Sequence, residues 1–224
     1  MKFKHKIKTV EDILNYEFRD QAIINQSLTH SSCRRFNQKI KDNESLEFLG
    51  DSVLSMCITD ILYREYPYQN EGGLTKLRSA ITNNKTLAET INKMGLSKSL
   101  KLGPGQKVNE SILSDLFEAL IGGVYLDGGF HNAFGVVKEI YQQHWQSVAQ
   151  KNTDYKSQMQ DFSQSRYKIK PEYKVINVSG PAHNKEFTIS VSINGKVEGV
   201  GKGPNKKEAE QMAAKESLEK LNPL

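Results

Sequence analysis

The hydrophobic period of this chain changes near residue 150, and that change limits what it can fold into. Up to about residue 150 the apolar residues recur at helical spacing throughout. After it, PEYKVINVSG, KEFTISVSING and KVEGVGKG alternate and are rich in Val, Ile, Thr and Tyr. Three strands of an antiparallel meander have that texture. DYKSQMQDFSQSRY before them and NKKEAEQMAAKESLEKL after them read as helices. The second part is therefore α-β-β-β-α, and so small a sheet needs its helices packed on one face. The stretch SVAQKNTDYK, residues 147 to 156, reads as a linker running into a new start. A length of 224 residues accommodates two such modest domains.

Within the first part, Thr9 with Asp12 three residues on predicts a helix start. Asp20 predicts a second, through Ile23, Ile24 and Leu28, and residues 34 to 43 read as a loop. NESLEFLGDSVL, residues 43 to 54, opens a helix that runs towards Tyr63 or Arg64. Pro67 and Gly72-Gly73 break the pattern. LTKLRSAITNN and KTLAETINKMG give two more helices, the latter ending at Gly95. SILSDLFEALIGGVYLD predicts a strongly apolar central helix, and AFGVVKEIYQQHW an amphipathic one.

The formal charge of +5 fits a nucleic-acid partner without requiring one. The two cysteines, Cys33 and Cys57, form neither a disulfide framework nor a zinc spacing, and His5, His30, His131, His144 and His183 are scattered. The basic N-terminus lacks the apolar core of a signal peptide. No apolar run approaches the ~20 residues of a membrane span. A cytoplasmic protein without a membrane partner is expected.

The acids inside the apolar helices need an explanation. Glu44, Glu47 and Asp51 are spaced i, i+3 and i+7, so they share one face. Like charges so placed repel by a few tenths of a kcal/mol when solvated, roughly, and partial burial raises the cost to the order of several kcal/mol per unpaired ion. A solvated face, or pairing with Arg34, Arg35 or Arg78, would be the plain outcome. A matching site weakens both: Asp115 and Glu118 lie at i, i+3 on an even more apolar helix. Two core helices facing one another with these carboxylates build an all-oxygen cage. Hard divalent cations such as Mg²⁺ or Mn²⁺ take that ligand set, and phosphoryl chemistry follows from it.

NESLEFLGDSVL resembles the signature of the bacterial ribonuclease III family, and SDLFEALIGGVYLDGG resembles that family's second acidic block. LTHSS at 28 to 32 and EGGLTKLR at 71 to 78 fit as well. The resemblance covers roughly residues 5 to 148. It implies an all-α endonuclease domain that hydrolyses double-stranded RNA with Mg²⁺, Mn²⁺ substituting, and no small-molecule cofactor. Carried over by position, Glu47, Asp115 and Glu118 resemble the metal ligands, with Glu118 also catalytic. Asp51 resembles the acid that helps to activate the attacking water. Glu44 matches an acid near the cut site. Ser45 stands where the family often has a basic residue. The family is homodimeric, and Phe48 resembles the aromatic that plugs into the partner; its plain alternative is a core residue.

Over about residues 154 to 222 the chain resembles the double-stranded RNA-binding domain. That resemblance implies minor-groove contacts by Ser157, Gln160 and Asp161, and by His183 in the GPAH loop. Asn205, Lys206 and Lys207 match the part that straddles the phosphates between. Backbone N–H groups, a helix dipole and two ammonium groups suit that role. Such contacts read A-form shape more than sequence. A solvated helix face is the plain alternative for the lysines. Gly201-Lys202-Gly203 is weak as a phosphate loop, since no third glycine completes it and the strands form a meander.

The expectation is an all-α endonuclease domain over 1–148, a linker over 149–153 and a small α+β RNA-binding domain over 154–224. The resemblance further implies 5′-phosphate products with short 3′ overhangs and the processing of ribosomal RNA precursors and other structured transcripts. A duplex-binding regulator that does not cut, and a phosphoesterase for small nucleotides, are the rivals. The four intact acids argue against the first, and the C-terminal pattern against the second.

Overall fold

The computed structural model describes residues 2–35, 38–67, 69–181 and 185–221. Two compact units are present, Met1–Pro67 with Leu74–Asn152, and Tyr68–Gly73 with Thr153–Leu224. The first is helical: α1 (Lys2–Leu14), α2 (Gln21–Ser27), α3 (Glu44–Glu65), α4 (Glu71–Thr82), α5 (Asn84–Lys93), α6 (Glu110–Ile140) and α7 (Gln146–Asn152). The second carries α8 (Tyr155–Tyr167), β1 (Glu172–Ser179), β2 (Glu186–Ile193), β3 (Lys196–Gly203) and α9 (Lys206–Leu221). The strands form one antiparallel sheet in the order β1-β2-β3, with pairs such as Val175–Ile189 and Val191–Gly199. An all-α domain plus an α-β-β-β-α domain is thus the architecture.

Side chains at the helix starts explain why the elements begin where they do. Asp20, Asn83 and Asn109 accept hydrogen bonds from the backbone N–H of Ala22 (2.7 Å), Thr86 (3.0 Å) and Ile112 (2.9 Å). Gly95, left-handed at φ 74°, closes α5.

Three local expectations are corrected. Thr9 does not start α1, which is already helical from Lys2, because Ile7, Val10 and Leu14 form one buried stripe at i, i+3 and i+7. Gly72 and Gly73 lie inside the first turn of α4, where the Asn70 side chain accepts from Gly73 N–H at 2.9 Å. Residues 149–152, read as linker, are helical in α7. Ala149 is fully buried and Val148 packs on the same core.

The feature that positions everything else is the crossing of α3 and α6. A Cβ added to Gly50 would lie 1.8 Å from the Glu118 carbonyl oxygen, and one on Gly122 would lie 2.2 Å from that of Leu46. The two backbones therefore touch, and only glycine permits it. Around the crossing, Leu54, Ile58, Leu116, Phe117, Leu120 and the single tryptophan, Trp145, are buried. Gly122→Ala forces an overpacked crossing and is expected to cost about 1–3 kcal/mol or more. Urea unfolding followed by Trp145 fluorescence measures this, and an unchanged midpoint would contradict it.

Candidate functional site

α3 carries Glu44, Glu47 and Asp51, and α6 carries Asp115 and Glu118. The crossing brings half-buried Glu47, Asp115 and Glu118 together, with one carboxylate oxygen of each within 4.8 Å of the others. Asp51 is exposed and stands outside that trio, yet its charge acts on Glu118. Among the described residues, none of these four acids is in an ion pair with a lysine or arginine.

The electrostatics follow from burial and crowding. Burial first, then the charges of Asp51, Glu47 and Asp115, push the Glu118 carboxyl up to about 8. Burial, then Asp115, Glu44 and Asp51, raise Glu47. Burial raises Asp115, opposed by the nearby His30 ring. Three mutually repelling carboxylates, all oxygen donors and paired with no basic side chain among the described residues, fit a hard divalent ion.

Glu44 differs. It pairs with Arg34, which also contacts buried Asp42, and the Arg34 hydrogen bond holds its carboxyl below the usual range. Pairing with Arg34 therefore explains this acid and none of the others. Arg78 instead donates to the Thr59 hydroxyl at 3.3 Å. The Ser45 hydroxyl accepts from the Gln26 amide at 3.1 Å. Phe48 is 80% exposed, so the core alternative does not hold, and it shares a face of α3 with exposed Met56 and Tyr63.

In the second unit, Ser157, Gln160 and Asp161 are exposed on α8. The Ser157 hydroxyl donates to Asp154 at 2.7 Å, so it also helps to cap its own helix. Asn205 accepts from Glu208 N–H at 2.9 Å and caps α9, which leaves Lys206 and Lys207 exposed in the first turn. His183 lies outside the described residues. Gly201 belongs to β3, where a Cβ would meet Ala213 N of α9 at 2.1 Å, so this glycine serves packing.

Two groups near the site do not stand out in the sequence. Arg34 is one of three candidate partners for the acids. His30 is only part of LTHSS, and its environment depends on residues far along the chain.

Residues 20–144 match the family model described as ribonuclease-III-like, and residues 155–221 match the double-stranded RNA binding motif. A ribonuclease 3 from Syntrophobacter fumaroxidans is 36% identical over 98% of this chain and 96% of its own length. One from Oceanobacillus iheyensis is 39% identical over 96% and 98%. The solved nuclease domain of ribonuclease III from Campylobacter jejuni superposes with a TM-score of 0.58 at 34% identity, covering 62% of this chain and 99% of that domain. With likeness over nearly the whole length and both models matched, this chain belongs to the ribonuclease III family of endoribonucleases and carries a double-stranded RNA-binding motif.

Proposed function

We propose that this chain cuts both strands of duplex RNA at the Glu47–Asp115–Glu118 cluster, with Mg²⁺ as the ion and Mn²⁺ able to replace it. The observation that carries the reading is the convergence of three half-buried carboxylates with no basic side chain among the described residues paired to them. Glu47, Asp115 and Glu118 hold the ion through their carboxylate oxygens. Such an ion supplies a stronger nucleophile from water and stabilises charge on the departing 3′ oxygen. Asp51, exposed at the edge of the cluster, accepts a hydrogen bond from the attacking water through its carboxylate oxygen and orients it. Glu44, held by Arg34, stands at the margin of the cut site.

The same reading assigns residues 1–148 to cutting and 154–224 to RNA binding. Lys206, Lys207 and Asn205 meet phosphates, while Ser157, Gln160 and Asp161, with His183, meet the minor grooves. The assembly is a homodimer, supported by the exposed Phe48, Met56 and Tyr63 on α3. The Campylobacter jejuni nuclease domain was described for flexibility in its region of dimer formation. The products carry 5′ phosphates and short 3′ overhangs, and ribosomal RNA precursors and other structured transcripts are the substrates. No helix of the described residues is long and apolar enough to cross a membrane, which fits work in the cytoplasm.

Glu118→Ala is expected to abolish cutting of long duplex RNA while leaving duplex binding in EDTA intact; preserved turnover would sink the site assignment. Replacing Lys206 and Lys207 by Ala is expected to lower the slope of log affinity against log salt by about 1 for each phosphate left without its lysine. An unaltered slope would remove them from the interface. The Glu118 carboxyl, pushed up to about 8, must lose its proton to bind a cation. Mg²⁺ affinity is therefore expected to fall as pH drops below about 8, by up to roughly tenfold per unit for one displaced proton, and to level off above it. Calorimetric titration of Mg²⁺ in buffers of different ionisation enthalpy measures both affinity and proton release, and pH-independent affinity would contradict the expectation.

A further inference from the structure

The His30 ring is held in one orientation by its own loop. Ser32 N–H donates to His30 Nδ1 at 3.1 Å, and the Ser32 hydroxyl lies 2.8 Å from the same nitrogen. That hydroxyl oxygen also accepts from Gly103 N–H at 2.8 Å, which holds it beside the ring. The Ser32 N–H makes this nitrogen an acceptor. Nε2 is then the ring nitrogen left to donate.

The backbone fixes where the residue sits. His30 N–H donates to the Lys101 carbonyl at 3.0 Å, and Lys101 N–H donates to that of Leu28 at 2.8 Å. Thr29 forms a parallel bridge with Lys101, and its carbonyl accepts from Asn43 N–H at 2.9 Å. His30 is therefore tied within one residue of the start of α3, beside Glu44. The ring is half-buried and in electrostatic reach of both Asp115 and Glu44. Among the described residues, Nε2 has no hydrogen-bond partner, although Nδ1 has two.

An anionic RNA strand approaching the acid cluster meets five carboxylates. An N–H donor at its rim offers a phosphate oxygen a hydrogen bond without competing for the cation site. We infer that His30 contacts the substrate, donating its Nε2–H to a non-bridging phosphate oxygen of the strand being cut. Ser32 and the Gly103 amide are positioning groups, acting through His30. The inference rests on the reading of the acid cluster as the cutting centre.

Two substitutions separate a donor from a mere structural prop. His30→Asn keeps a polar group near the Nδ1 position but has nothing at Nε2. His30→Gln reaches the Nε2 position with an N–H. Both are compared with the wild-type chain in single-turnover cutting of a duplex RNA with Mg²⁺, together with Glu118→Ala, duplex binding in EDTA and thermal melting. A hydrogen bond to a charged oxygen predicts a fall on the order of 10- to 100-fold in the saturated cutting rate of His30→Asn, with melting unchanged. His30→Gln is expected to recover a large part of it. Wild-type rates in His30→Asn overturn the inference. So do equal losses in both variants accompanied by lowered melting, which would mark the ring as a prop for its loop. Cutting by Glu118→Ala would instead overturn the reading of the cluster.

Discussion

The contact between the backbones of α3 and α6 is the constraint from which the rest of the candidate site follows. Gly50 abuts the Glu118 carbonyl and Gly122 abuts that of Leu46, so the helices meet without side chains between them. At ordinary helix separations of about 8–10 Å, side chains fill the contact. Here the missing side chains let Glu47, three residues before Gly50, reach Glu118, four residues before Gly122. The cluster is a consequence of two absent methyl groups, and its geometry is as rigid as the packed core that carries it.

That rigidity has an electrostatic cost. The carboxylates cannot separate to relieve their repulsion, because the helices bearing them are clamped by Leu54, Leu116 and Phe117 around the crossing. A proton on Glu118 is the relief available to the chain alone, which is why burial and its neighbours push that carboxyl up to about 8. A divalent ion is the other relief. A fold that stores unfavourable charge in this way is poised to bind a cation, and through it phosphate.

Much of this was legible in the sequence because it is local. Asp20, Gly95 and Asn205 mark helix ends through hydrogen bonds or conformations that span only a few residues. The acid spacing on α3 and on α6 is likewise a property of one turn. What was not legible depends on distant partners. The α1 start and the helicity of residues 149–152 are decided by burial of Ile7 and Ala149 in a core assembled from the whole unit. The glycine crossing needs both helices at once. The placing of the His30 ring is supported by Gly103 through Ser32, and the restraint on Glu44 by Arg34 and Asp42 across a loop.

Acid identity alone was also a poor guide, as Asp127 demonstrates. It lies on the same helix as Glu118, in YLDGG, yet its carboxylate accepts from the Tyr16 hydroxyl at 2.7 Å and from the Arg19 and Asp20 amides at 2.9 Å each. Burial alone would raise its carboxyl, but those hydrogen bonds hold it below the usual range. Its charge is spent on fastening the turn between α1 and α2. Glu11 does similar work, accepting from Phe18 N–H at 3.0 Å. Glu118 has acids for neighbours where Asp127 has donors. The separation between a structural and a chemically available carboxylate is therefore made by the partners the fold supplies, and in this chain those partners diverge along a single helix.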